Sequence, residues 1–255
     1  MDTLKITIHK AQPVTNMSER TLTFNTDQRN FLFDQGFTKG MIHQLERVAT
    51  ETLVQIWILD KSASTNQMDC SRFERSTSMY ELRPIKCSRW EDIKETALYH
   101  AHIAISTHRP MVFRLLNACP DMDPQFVIAN KPSTERGETN KQEDLFLFRE
   151  WLQKVDLRRR TSVTHHMNKI LQWMQSMKRS KDHNNGEHVV LIIATDGFPS
   201  DDCGVSNHEQ CEIFQKSLKL FEKLRIQILF RLNANNSALR KVRVTIRHAN
   251  HFPYS

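Results

Sequence analysis

The chain has little glycine and no closely spaced cysteines. Its 255 residues include only 6 glycines, where an average usage of about 7% would give about 18, and this scarcity argues against glycine-rich phosphate loops and collagen. The five cysteines are odd in number and never spaced as CxxC, so we expect neither a disulfide framework nor a zinc ribbon. No apolar run approaches the roughly 20 residues of a membrane span, and the first residues lack the apolar run of a signal peptide. We therefore expect an intracellular, cytoplasmic protein without a membrane partner.

The composition is typical of a globular chain with a modest excess of positive charge. Hydrophobic residues make up 39% and charged residues 25% of the chain, which does not fit a disordered protein. The formal net charge of +7 is spread along the sequence, apart from the run Arg158–Arg160 and a basic C-terminal stretch. Because this charge is small and dispersed, it does not identify a nucleic-acid-binding protein.

Short apolar runs alternate along the chain with segments of helical period. The runs predict strands at Val54–Leu59, Met111–Leu116, Phe126–Ile128, Val189–Ala194 and Ile226–Leu232. Strands that alternate with helices of 10–20 residues indicate βα units and a mainly parallel sheet. We therefore predict an α/β fold, Rossmann-like and doubly wound, with helices on both faces of the sheet.

The predicted helices follow from apolar spacing and one capping pattern. Ser88 and Glu91 form a capping-box pattern ahead of apolar residues with helical period. Further helices are predicted where the apolar spacing is helical, around 41–48, 145–155, 167–174 and 214–224. The polar residues 131–143 are predicted to form a loop.

The same patterns divide the chain into three parts. Residues 50–232 contain the predicted βα units and form the main domain. Residues 1–49, with a short strand predicted at Leu4–Ile8, form an N-terminal extension that we expect to pack on the main domain, because no linker rich in Pro, Gly or Ser separates the two. Residues 233–255 form a basic C-terminal segment without a recognisable pattern.

Polar clusters follow two of the predicted strands and precede one of the helices. Asp60, Ser62 and Ser64 come directly after the first strand, and Asp196 comes after Val189–Ala194. In such sheets ligands bind at the carboxyl ends of the strands. Carboxylates and hydroxyls are hard oxygen ligands, suited to Mg²⁺, Mn²⁺ or Ca²⁺. These residues, with Thr161 from the loop before the 167–174 helix, are therefore the candidate metal ligands.

The spacing Asp60-x-Ser62-x-Ser64, together with Thr195-Asp196-Gly197, resembles the von Willebrand factor A (vWA) domain family over roughly residues 50–232. The first motif matches the family's DxSxS metal-ion-dependent adhesion site, and Thr161 aligns best with the family's metal-site threonine. The resemblance is to the intracellular single-domain type. It implies Mg²⁺ or Mn²⁺ at the top of the sheet and binding of a protein partner through an acidic residue that ligates the metal. It does not imply catalysis.

A departure from the family pattern beside the predicted metal site leaves alternatives open. Arg158–Arg160 precede Thr161 where the family usually has glycines, and their charge would weaken binding of a nearby cation. Thr164 therefore competes with Thr161 as the ligand. A metal-free vWA scaffold is one alternative function, and a Mg²⁺-dependent phosphohydrolase is another. In such phosphatases a second acid commonly stands two residues after the nucleophile, where this chain has Ser62.

Overall fold

The computed structural model describes residues 23–75, 82–116, 123–129, 138–154, 166–172, 188–195, 208–223 and 227–232. The strand predicted at Leu4–Ile8 and the C-terminal segment 233–255 lie outside these residues. The helices are α1 (Thr26–Asp34), α2 (Lys39–Glu51), α3 (Arg89–Ser106), α4 (Glu138–Gln153), α5 (166–172) and α6 (His208–Lys223). The strands are β1 (Thr52–Leu59), β2 (Cys70–Arg75), β3 (Leu82–Cys87), β4 (Met111–Leu115), β5 (Gln125–Ile128), β6 (His188–Thr195) and β7 (Gln227–Leu232).

A five-stranded sheet with the order β5-β4-β1-β6-β7 forms the centre of the described structure. β4, β1, β6 and β7 run parallel, and β5 pairs antiparallel with β4 at one edge. β1 is apolar apart from Thr52 and Gln55, as expected for a parallel strand covered on both faces. The predicted α/β class with a mainly parallel sheet is confirmed, as are the five predicted strands.

Two apolar cores lie on opposite faces of this sheet. One face of β1, with Trp57 and Leu59, packs with residues of α3 and α4. The other face, with Ile56 and Ile58, packs with residues of α5 and α6. Alternate residues of β1 therefore enter different cores, which follows from the two-residue period of a strand.

Helix α3 begins where the sequence predicts it. The Ser88 side chain accepts from the Glu91 backbone N–H, and the Glu91 side chain accepts from the Ser88 backbone N–H, so the predicted capping box is confirmed. Five apolar residues that recur with helical period are all buried on this helix: Trp90, Ile93, Ala97, Ala101 and Ala104.

Two parts of the sequence interpretation need correction. The loop predicted at 131–143 is wrong in its second half, because α4 already begins at Glu138. The first turns of α4 consist of polar residues, so the sequence there has no apolar residues at helical spacing. The antiparallel hairpin of β2 and β3 was not predicted, because neither strand has an apolar run.

Residues 23–51 form a small cluster that contacts the main domain. Phe24, Leu32, Ile42 and Ala49 are buried together, and Ile103 of α3 packs against them. Gly36 has a φ of 87°, the left-handed region that favours glycine, and it follows the end of α1.

Among the described residues, no helix has the length and apolar character needed to cross a membrane.

Candidate metal centre

The turn that carries the predicted ligands lies at the carboxyl end of β1, the central strand. The Asp60 backbone N–H donates to the Ala194 carbonyl of β6 at 2.9 Å, and the Leu116 backbone N–H donates to the Leu59 carbonyl at 3.0 Å. Both neighbouring strands therefore hold the point where β1 ends. This position matches the sequence prediction that Asp60, Ser62 and Ser64 follow a buried strand.

The Asp60 carboxylate is buried, and each of its oxygens accepts a hydrogen bond from the protein. Asp60 is 1% exposed. Oδ1 accepts from the Ser62 backbone N–H at 2.8 Å, and Oδ2 accepts from the Thr195 hydroxyl at 2.5 Å. Because one bond comes from its own turn and the other from the end of β6, the carboxylate is fixed relative to both strand ends.

The two serines of the turn bring their hydroxyl groups together. Ser62 Oγ and Ser64 Oγ are 2.8 Å apart, and both residues are partly exposed. Neighbouring ligands of an octahedral Mg²⁺ ion, each 2.0–2.1 Å from the metal, lie about 2.9 Å apart. The separation of these hydroxyl oxygens therefore fits two adjacent positions around one Mg²⁺ ion.

A short 3-10 helix, Ala63–Asn66, fixes the shape of the turn. Thr65 is fully buried; its backbone N–H and its hydroxyl both donate to the Ser62 carbonyl, at 3.1 and 2.7 Å. The preceding Lys61 is also fully buried, so its side chain does not lie on the outer surface of the turn. The partly exposed groups of the predicted motif are therefore the two serines.

The far end of the turn is attached to the start of α3. The Arg89 backbone N–H donates to the Gln67 carbonyl at 3.1 Å. The Arg89 guanidinium holds the Asp69 carboxylate with Nε on Oδ1 at 2.8 Å and Nη2 on Oδ2. The Arg89 hydrogen bond is the main cause that lowers the pKa of Asp69 below its ordinary value. This bidentate pair connects the segment after Ser64 to the helix.

Sequence reasoning assigned no role to Asp69 or Arg89. A hint existed in the sequence: a positive residue in the first turn of a helix opposes the helix dipole, which predicts an acidic partner nearby. The position of that partner depends on the hairpin, which was not predicted. Thr195 was noticed only as the neighbour of Asp196, whereas the structure makes it the hydroxyl donor to Asp60.

The remaining predicted ligands lie outside the described residues. These are Thr161, its competitor Thr164 and Asp196, together with the run Arg158–Arg160. The structure brings Asp60, Ser62 and Ser64 together in one turn, and the assignment of all these residues as metal ligands stays a prediction.

A second polar contact joins the carboxyl half of β4 to α5. Arg114 Nε donates to His166 Nδ1 at 3.1 Å, and both residues are at least nine-tenths buried. The contact anchors the described start of α5 to the sheet.

A cation at the turn would be held chiefly by hydroxyl and carboxylate oxygens. Within the part of the chain that the structure describes, no three His, Cys, Asp or Glu side chains form a group that could hold a metal ion.

No model of a known protein family matches this chain. A search of curated proteins finds no match either. Arguments about function therefore depend on the turn itself and on the motifs of the sequence.

Proposed function

We propose that this chain is a vWA-type protein-interaction module that binds a divalent cation at the turn after β1. Asp60, Ser62 and Ser64 hold the ion, and an acidic residue of a protein partner completes its ligand shell. The observation that carries the proposal is the pair of serine hydroxyls 2.8 Å apart, next to a carboxylate that Ser62 and Thr195 fix in place.

The strand order supports this position for a ligand site. From β1 the chain proceeds to β4 and β5 on one side, and then crosses to β6 and β7 on the other. The strand order therefore reverses between β1 and β6, and doubly wound sheets bind ligands in the crevice beyond the carboxyl ends of the strands at such a point. Asp60 follows β1, and its partner Thr195 ends β6.

The charges of the proposed ligands favour an acidic partner. Asp60 and Asp196 together neutralise a divalent ion, whereas the serine and threonine ligands add no charge. The ion therefore keeps its attraction for a further carboxylate. Mg²⁺ commonly retains exchangeable waters and few protein carboxylates, so a partner's Asp or Glu can replace a water. The role of the ion is to bind and orient that carboxylate.

The burial of Asp60 favours the binding module over the phosphohydrolase. A nucleophilic aspartate must be reached by the phosphorus atom of its substrate. The Asp60 residue is 1% exposed, and each carboxylate oxygen already accepts a hydrogen bond from the protein. The partly exposed serines are better placed to meet a ligand.

The first test is the stabilisation of the folded chain by metal ions. We expect Mg²⁺ or Mn²⁺ to raise the Tm relative to EDTA, because an ion at 100 times its Kd stabilises the folded state by about 2.7 kcal/mol, roughly 5–10 °C for a chain of this size. Ser62→Ala and Ser64→Ala each remove a ligand and are expected to weaken metal affinity about tenfold or more. Ser71→Ala, at an exposed position on β2, is the matched control.

Binding of a carboxylate is then tested on a polyglutamate resin. Capture that requires Mg²⁺, stops with EDTA and is lost in Ser62→Ala supports the proposal. Capture that is equal with EDTA reflects only the positive net charge of the chain. A Tm that no ion changes would reject the metal site and leave the metal-free scaffold as the better interpretation.

A further inference from the structure

Cys70 and Cys87 lie directly opposite each other in the β2–β3 hairpin. They form the first residue pair of its antiparallel ladder, at the end farthest from the hairpin tip. Directly opposite residues have Cα atoms about 4.5–5.5 Å apart and side chains on the same face. A disulfide needs Cα atoms 4.4–6.8 Å apart, so the backbone already has the spacing for a cross-strand bridge.

The two thiols differ in exposure. Cys87 is 1% exposed, Cys70 is partly exposed, and neither is part of a disulfide. Burial raises the pKa of each thiol, and the Asp92 carboxylate on the first turns of α3 raises both pKa values further. Because Cys70 is the more exposed thiol, an oxidant reaches it first. The raised pKa leaves little Cys70 thiolate at neutral pH, so its oxidation is expected to be slow there and to quicken as the pH rises.

We propose that Cys70 and Cys87 are a redox dithiol that a hydroperoxide converts to a cross-strand disulfide. The Cys70 thiol loses its proton, its sulfur attacks the peroxide oxygen and the O–O bond breaks; the departing alkoxide or hydroxide takes up that proton and leaves as alcohol or water, and Cys70 becomes a sulfenic acid. The Cys87 sulfur then attacks the Cys70 sulfur and its thiol proton joins the departing hydroxide as water. In total two thiols lose two electrons and two protons, and one peroxide is reduced.

The disulfide would close a loop next to the turn that carries Asp60, Ser62 and Ser64. Cys70 follows Asp69, and Cys87 precedes Ser88 and Arg89. The Asp69–Arg89 ion pair already joins these two segments. A disulfide adjacent to that pair would restrict the same connection between the turn and the start of α3. The proposal concerns the thiols alone and does not depend on a bound metal.

Peptide mapping of the full chain tests the pairing. The folded protein is treated with hydrogen peroxide, blocked with N-ethylmaleimide and digested with trypsin without reductant. Cleavage after Lys61, Arg72, Lys86 and Arg89 places the two cysteines on separate peptides, 62–72 and 87–89. We expect these peptides to be joined, with the loss of two hydrogens, and to separate on treatment with dithiothreitol.

Variants show whether the pair is specific. Cys211→Ala, which removes a partly exposed thiol of α6, should leave the linked peptide unchanged, while Cys70→Ala and Cys87→Ala should abolish it. The wild-type Tm should rise on oxidation and return on reduction. Linkage of either cysteine to a third one, a cross-linked dimer, or sulfinic acid at Cys70 with Cys87 still reduced would each overturn the proposal.

Discussion

At the residue scale, the Thr195 hydroxyl connects the ends of two strands at the candidate metal centre. Thr195 is 4% exposed and donates to Asp60 Oδ2 at 2.5 Å. The other carboxylate oxygen accepts from the Ser62 N–H of the turn itself. Groups that orient a metal ligand from behind commonly matter nearly as much as the ligand. Thr195 therefore has a positioning role in the proposed site.

Replacing Thr195 tests this role. Thr195→Val keeps the shape of the side chain but removes the donor, so the buried carboxylate loses one hydrogen bond. We expect a loss of about 1–3 kcal/mol in unfolding free energy and a Mg²⁺-dependent rise in Tm that is smaller than in wild type. Thr195→Ser keeps the hydroxyl and should retain the metal response. An equal metal response in Thr195→Val and wild type would contradict the assigned role.

The sequence predicted the position of the candidate ligands in one turn better than it predicted the groups around them. Asp60, Ser62 and Ser64 follow directly from the end of a strand and a spacing of two residues. Arg89 and Asp69 are 20 residues apart in the sequence. They meet because the two strands of the hairpin pair and bring the segments before β2 and after β3 together. Lys61 looks like a surface residue in the sequence, yet it is fully buried. Such contacts depend on tertiary structure, which local patterns do not contain.

At the element scale, the start of α3 combines a capping box with an ion pair. Glu91 accepts from the Ser88 backbone N–H at 2.7 Å, and this bond is the main cause that lowers the pKa of Glu91. Arg89 likewise lowers the pKa of Asp69. Both carboxylates therefore stabilise the folded state in their ionised form.

This arrangement predicts a loss of stability in acid. Because the pKa of Asp69 is lower in the folded than in the unfolded state, its contribution is fully present above the unfolded pKa of about 3.9. It is lost as the pH falls through the lower folded value. Asp69→Asn should cost about 1 kcal/mol near neutral pH, and its difference from wild type should shrink below about pH 4.

Urea unfolding between pH 3 and pH 7 measures this difference. Glu143→Gln, at an exposed position on α4, is the control and is expected to unfold like wild type at each pH. A cost of Asp69→Asn that stays constant down to pH 3 would mean that the ion pair with Arg89 does not stabilise α3.

The elements themselves were predicted where apolar residues recur with a clear period. β1, β6 and α3 have strong apolar patterns and were all predicted. α1 was not predicted as a helix, although Asn25 and Gln28 form a capping box at its start that the sequence could have indicated. The β2–β3 hairpin packs against α3 rather than within the main sheet. Its strands are not buried on both faces and therefore lack a continuous apolar run, so the sequence pattern did not predict them.

At the scale of the whole molecule, residues 23–51 and the sheet are connected through α3. The Phe31 ring contacts the His102 ring edge-on, with centroids 4.8 Å apart, and Ile103 packs against the cluster around Leu32. Glu46 accepts from the Phe24 backbone N–H at 2.8 Å and from Arg29 at 2.7 Å, which fixes the chain before α1 to α2. These contacts predict that residues 23–51 and the main sheet unfold as one cooperative unit.

Leu32→Ala tests this coupling, because Leu32 is fully buried in the N-terminal cluster and its truncation should cost about 2–5 kcal/mol. All four tryptophans come after residue 56, so their fluorescence reports on the main domain, whereas far-UV circular dichroism reports on every helix. In one cooperative unit, Leu32→Ala lowers the urea midpoint equally by both probes. Leu147→Ala, at a position 47% exposed on α4, should change stability by less than about 0.5 kcal/mol. A fluorescence midpoint that Leu32→Ala leaves unchanged would contradict this coupling. It would show that the substitution destabilises only the N-terminal helices, which then unfold independently of the main domain.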